Sequence, residues 1–195
     1  MRRRIVMTFC ILVLIGGCAQ PKWEMEQPKK PQPSPELQKL SRLIGNWTGT
    51  AEWVYPPLNE INANLPEGEK IPSTYGGGGS YAWTLDGMFL KGEGWYEMGA
   101  DQPVKYVEYW SWDAKAKKYR TWSFSDWGEC GDGLAWFDPA DANIMYFKGT
   151  VGGEGGKRHG SGKMTFISDD TYDWAYAERG PEGRMEFKGT SKRVR

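Results

Sequence analysis

Three side chains in this chain of 195 residues invite a chemical reading: Glu108, His159 and Cys130. Glu108 alternates with Tyr106, Trp110 and Trp112 in VKYVEYWSWD, which puts the carboxyl and three rings on one face of an extended segment. Burial disfavours the charged form, so a carboxyl among rings has a raised pKa and can serve as a buried acid. The other face carries Val107 and Tyr109, and alternation alone does not say which face turns inward. His159 is the only histidine and stands in GGEGGKRHGSG, where a solvated loop side chain is the plainer reading than a ligand or base. One histidine and one body cysteine fall short of the three or four N or S ligands of common zinc sites. A Ser-His-Asp arrangement would need that histidine buried and oriented by a carboxylate, and a glycine-rich loop is a poor place for it. Cys130, in WGECGD, is an odd thiol; it is expected to be buried rather than paired with another molecule. No catalytic or metal-binding constellation emerges, and the chain is expected not to be an enzyme.

Two glycine runs suggest phosphate loops and fail the test. TYGGGGSYAW precedes a strand pattern, so no helix N-terminus would face a phosphate. GGEGGKRHGSGK has Val151 five residues before Gly156 and Met164 after Lys163, which breaks the phosphate-loop spacing. Both runs read as hairpin loops or as strands crowded by neighbours. Nucleic acid is not an expected partner either. Lys and Arg together number 25 and so do Asp and Glu; without Arg2, Arg3 and Arg4 the balance is mildly acidic, unlike a phosphate-backbone binder.

The residues that remain are rings: 11 Trp, 10 Tyr and 7 Phe. They fall on period-two segments. NWTGTAEWVY sets Trp47, Gly49, Ala51, Trp53 and Tyr55 on one side; RTWSFSD sets Trp122 and Phe124 apart from Thr121, Ser123 and Ser125. TYDWAYAE aligns Tyr172, Trp174 and Tyr176, and RMEFKGTSKRV aligns Met185, Phe187 and Gly189. One apolar and one polar face per segment predicts antiparallel strands with water outside. Short turn signals separate about ten such strands after Asn46, which suggests a sandwich or a closed barrel. Residues 56–73, with four prolines, read as the one long loop. A single helix precedes the strands: Ser34 as N-cap, Pro35 at the first helical position, Leu37, Leu40, Leu43 and Ile44 on one face, Gly45 as the stop.

Residues 1–17 join a basic start, an apolar run from Ile5 to Ile15 and two small residues, the pattern of a cleaved signal peptide. LIGGC resembles the bacterial lipoprotein box. The resemblance implies cleavage before Cys18 and acylation of its sulfur, with Ala19 rather than Asp favouring the outer membrane. Two or three acyl chains hold firmly, at about 0.8 kcal/mol per buried CH₂. Residues 18–35 carry Pro21, Pro28, Pro31, Pro33 and Pro35 and read as a semi-rigid spacer in which Trp23 and Met25 graze the lipid interface.

LIGNWTGTAEWVYP also carries the G-x-W that opens lipocalin-like barrels, and Gly45, Trp47, Gly49, Tyr55 and Pro56 match the opening of nitrobindin-type barrels. With the hairpins LDGMFLKGEG and VEYWSWDAKAKKYRTWSFSD, the body at 36–195 resembles a bacterial calycin-like family of unknown function. The resemblance implies an all-β, up-and-down antiparallel barrel of about ten strands with the short helix near one end. Nitrobindins bind haem through a histidine near the C-terminal strand; RMEFKGTSKRVR has none, so haem and other cofactors are not expected.

These readings lead to a lipid-anchored envelope protein, facing the periplasm from the outer membrane, whose inward rings hold a small apolar or amphipathic ligand. The expected lining is Trp47, Trp53, Tyr55, Trp122, Phe124, Tyr172, Trp174, Tyr176 and Phe187. An envelope interaction protein that binds carbohydrate or a protein partner is the alternative, and outward rings would favour it.

Overall fold

The computed structural model describes residues 31–66, 70–97 and 102–195. The expected signal peptide, Cys18, Trp23, Met25 and most of the spacer lie outside the described residues. No helix among the described residues is long and apolar enough to cross a membrane.

The body is a closed antiparallel barrel of ten strands. They are β1 (Gly45–Tyr55), β2 (Thr74–Thr84), β3 (Phe89–Tyr96), β4 (Val104–Asp113), β5 (Lys118–Ser125), β6 (Cys130–Phe137), β7 (Ile144–Gly153), β8 (Gly156–Ser168), β9 (Thr171–Gly180) and β10 (Gly183–Val194). Each pairs with its sequence neighbours, and β10 returns to β1, with Trp47 opposite Arg193 and Trp53 opposite Phe187. Closure removes every unpaired edge. The pattern of alternating segments admits a sandwich as well; the β1–β10 pairing decides for the barrel.

Closing a ring this narrow needs places where the wall bends sharply, and inward glycines supply them. A methyl group on Gly79 would stand 2.6 Å from the Glu93 carbonyl oxygen, and one on Gly133 2.8 Å from that of Lys148. No side chain fits so near a neighbouring backbone. The run Gly76–Gly79 therefore lies in β2 as a crowded strand, as expected.

One end of the barrel is plugged. Helix α1 (Pro35–Gln38) continues as a 3₁₀ turn over Lys39–Leu43. Ser34 Oγ accepts the Leu37 N–H at 3.0 Å, the cap the sequence predicts. Leu40 and Leu43 are fully buried and Leu37 nearly so, against Leu90, Trp110, Met145, Phe166 and Tyr172. Burying each leucine contributes about 1.5–3 kcal/mol. Polar ties lock the plug in place. Tyr119 donates its O–H to the Glu36 carbonyl at 2.8 Å, and the Trp47 indole N–H donates to that of Leu43 at 2.7 Å. Arg193, on the last strand, reaches across to the Ile44 carbonyl and, at 2.9 Å, to that of Arg42, while its guanidinium lies 4.4 Å from the centre of the Trp47 ring.

Three local expectations are corrected. His159 lies on β8, paired with Thr150 and Arg179, rather than in a loop, because only Glu154 and Gly155 make the tip of that hairpin. Cys130 is exposed: it opens β6 on the outer face, opposite Phe124. The long loop holds a second helix, α2 (Leu58–Asn62), whose Asn62 amide brackets the Ile71 backbone with two hydrogen bonds of 2.9 Å.

Candidate functional site

The end opposite the plug, where β1 finishes and β2 begins, has a different chemistry. Cross-strand register assigns its inner wall without ambiguity, since residues directly opposite each other share a face. Starting from Trp47 and Trp53, that rule turns Glu108 inward, between Gly92 on β3 and Ser123 on β5. Tyr106, Trp110 and Trp112 turn inward with it; Val107 and Tyr109 face out. The face left open by alternation is thereby settled.

Glu108 accepts a 2.6 Å hydrogen bond from the Tyr81 hydroxyl. Gly92 makes the pair possible: a methyl there would stand 2.6 Å from the Tyr81 ring and 2.9 Å from Glu108 Cγ. Burial raises the Glu108 pKa and outweighs the Tyr81 hydrogen bond and the nearby Trp110 N–H, which pull it down. The Trp110 N–H is itself buried without a hydrogen bond of ordinary geometry. Burial, and then the neighbouring Glu108 charge, hold the Tyr81 and Tyr106 hydroxyls well above their usual value. Glu108, Tyr81, Tyr106 and Ser123 nonetheless keep part of their surface accessible inside the wall, so the middle of the barrel is not packed solid.

Nearer the mouth the wall carries ions. Arg158 on β8 contacts Glu129 at 2.7 Å and Glu178 at 3.2 Å, and Tyr176 donates its hydroxyl to Glu178 at 3.1 Å. Tyr96 stands beside this group; burial, then the Glu129 charge, pushes its pKa to about 12. The open half thus combines rings, hydroxyls, one deep carboxyl and one bridged arginine.

The expected lining residues divide three ways. Trp53, Trp174, Tyr176 and Phe187 meet on the inner wall of β1, β9 and β10, with the Trp53 and Phe187 rings edge to face at 5.0 Å. Trp47 and Tyr172 are inward but belong to the plugged core, their ring centres 4.8 Å apart. Tyr55, Trp122 and Phe124 are corrected to the outer face. A register shift after Trp53 turns Tyr55 outward, where 46% of it is exposed. RTWSFSD alternates as expected but with the opposite phase. Thr121, Ser123 and Ser125 take the inner positions because the ladder sets them opposite Trp110, Glu108 and Tyr106, which share that face. The sequence reading missed Tyr75, Tyr81 and Tyr96, although Tyr81 and Trp83 alternate visibly in SYAWT.

Two depressions mark the outer wall. One, of about 520 Å³, crosses β5 to β8 between Arg120, Leu134, Lys148 and Ser161 on one side and Trp122, Asp132, Thr150 and His159 on the other. The second, of about 720 Å³, includes Glu93, Trp95 and Lys105. No group of three or more His, Cys, Asp or Glu side chains suited to a metal ion occurs among the described residues.

No family model matches the chain, and no curated protein does. Solved structures are similar at low identity. A structure of EF1p2_mFAP2b bound to DFHBI shares 12% identity over 81% of this chain and 98% of that one, with a TM-score of 0.44. A DUF3598-family protein of unknown function from Nostoc punctiforme shares 12% over 86% of this chain and 53% of its own, with a TM-score of 0.40; this chain spans about half its length. The di-domain ARO/CYC StfQ from the steffimycin biosynthetic pathway shares 8% over 77% and 84%, with a TM-score of 0.23. These likenesses concern the path of the chain and carry no activity across.

Proposed function

We propose that the chain is a lipid-anchored envelope protein whose barrel binds a small amphipathic molecule, without catalysis. Acylated Cys18 supplies the anchor, as the LIGGC motif implies, on the periplasmic face of the outer membrane. The ligand's apolar part rests on Trp53, Trp174, Tyr176 and Phe187, and its polar end meets Tyr81 and Glu108. The observation that carries this reading is the carboxyl of Glu108: it lies deep in a barrel with one plugged end, hydrogen-bonded to Tyr81, yet part of its surface remains free. A deep carboxyl that accepts from Tyr81 through one oxygen keeps a second oxygen for a hydrogen bond, which suits an alcohol or an amide.

Titrating the unacylated chain from residue 18 onward with a dansyl-labelled fatty acid and its uncharged amide tests the pocket. The expected result is saturable quenching of tryptophan emission, weakened at least tenfold by Ser123→Phe, which fills the space beside Glu108. Quenching that never saturates, or that ignores this substitution, defeats the reading. The anchor is tested separately by labelling cells with radioactive palmitate, with label expected on the wild type and absent from Cys18→Ala.

A second reading has its own observation. The depression beside Trp122 joins a ring to Asp132, Lys148, Thr150 and His159, a set suited to stacking and hydrogen bonding with a sugar. Retention on peptidoglycan that Trp122→Ala abolishes would favour an envelope interaction protein instead.

A further inference from the structure

We infer that the open mouth of the barrel docks on a zwitterionic lipid bilayer through half of its rim, so that the interior faces the headgroups; this rests on the anchored, amphipath-binding reading above. The observation is the placement of exposed rings. Among the described residues the exposed large aromatic side chains are Tyr55, Trp95, Phe124 and Trp127, each between 41% and 54% exposed. All four stand at the open end: at the finishing ends of β1, β3 and β5 and in the hairpin after β5. Val54 joins them, whereas the exposed large hydrophobics at the plugged end, Leu85, Ile167 and Val194, are aliphatic.

A ring that pairs an apolar body with one N–H or O–H is the side chain that settles at a membrane interface. The rim is one-sided. The hairpins β7–β8 and β9–β10 bring Glu154, Arg179, Glu182 and Arg184 to the other half, which keeps that side in water. Charges beside the rings are mixed, Lys105 against Glu97, Asp126 and Glu129, so the surface offers no field that would require anionic lipid.

Reach permits this contact. The described chain enters at the plugged end, where Pro33 covers Gly87 in the β2–β3 hairpin. Twelve residues lie between Cys18 and Pro31 in the sequence, and the thirteen steps reach at most about 40 Å at the polyproline rise. Strands of 11 residues tilted as barrels require give a height of about 28 Å. The tether therefore exceeds the height of the barrel, and the mouth can reach the leaflet that holds the acyl chains.

Cys130 provides the probe, since it is exposed and directly opposite Phe124. The full acylated chain would be reconstituted in phosphatidylcholine vesicles with an NBD fluorophore on Cys130. Doxyl-labelled lipid is expected to quench it at least twofold, while the same fluorophore on Lys115→Cys in a Cys130→Ser background, at the plugged end, stays unquenched. Phe124→Ser with Trp127→Ser is expected to abolish the Cys130 quenching and to leave the solution titration with the dansyl amide unchanged. Equal quenching at both positions, none at Cys130, or indifference to the double substitution overturns docking. Saturable binding of the dansyl amide alongside any of those results leaves the pocket standing and sinks the docking alone. Quenching at Cys130 without such binding supports docking and sinks the pocket.

Discussion

The two ends of this barrel are built from the same ten strands and solve opposite problems. At the plugged end, strands alternate large apolar residues inward and three leucines complete the packing, with backbone carbonyls capped by Tyr119, Trp47 and Arg193. At the other end the inward positions add Tyr, Ser, Gly and a few ions to Trp53, Trp174 and Phe187, and the short helix α2 stands beside the end of β1. The deepest packing lies at the plugged end, and partly accessible side chains at the other are polar enough to tolerate water. The lesson is that a closed sheet can be densely packed at one end and more polar at the other without a domain boundary.

That contrast can be broken from the plugged end. Leu40→Ala removes a fully buried side chain and is expected to cost about 3 kcal/mol, read as a lowered urea midpoint. Arg193→Ala deletes hydrogen bonds from a charged donor to the Arg42 and Ile44 carbonyls of the plug and should cost about 2 kcal/mol by the same measurement. Equivalent losses from mouth substitutions would erase the proposed division of labour.

The deep carboxyl sharpens it. Burial raises the Glu108 pKa above its ordinary value of 4.5, so the folded state holds its proton more tightly than the unfolded chain. The associated stability is complete below that ordinary value and is lost as pH climbs through the folded one. Glu108→Gln keeps an acceptor for Tyr81 and removes the ionisation. Its Tm is expected to match the wild type below pH 4.5 and to exceed it progressively in the pH window above that value. A constant difference across that window would place Glu108 in an environment as wet as the surface. The smallest effect belongs to the rim: Trp127→Ala, at a half-exposed position, should alter stability by no more than about 0.5 kcal/mol.

Most of the architecture was legible because it rests on local rules. Ser34, Pro35 and the leucine spacing specify α1, and period-two segments specify the strands. Phase was harder. In RTWSFSD the alternation is plain, but hydrophobicity points Trp122 and Phe124 inward, whereas the fold turns them out. The deciding quantity is the size of residues on neighbouring strands: Trp110 and Tyr106 already occupy the interior opposite Thr121 and Ser125. Tyr55 was misplaced for a related reason, since a single irregularity after Trp53 inverts everything beyond it. Glu108 stood out among its rings from the start, but its partner Tyr81 lies 27 residues away and is joined to it only by the ladder through β3.

The ring closes between its first and last strands, with Thr50 beside Thr190. A nascent chain that has not yet delivered residue 183 has eight of its nine hairpin seams available but no way to shut, and Trp53 has no Phe187 to meet. The last segment to emerge acts as the zipper's final tooth. Until it arrives, β1 keeps an unpaired flank, the kind of edge that can template pairing with another chain.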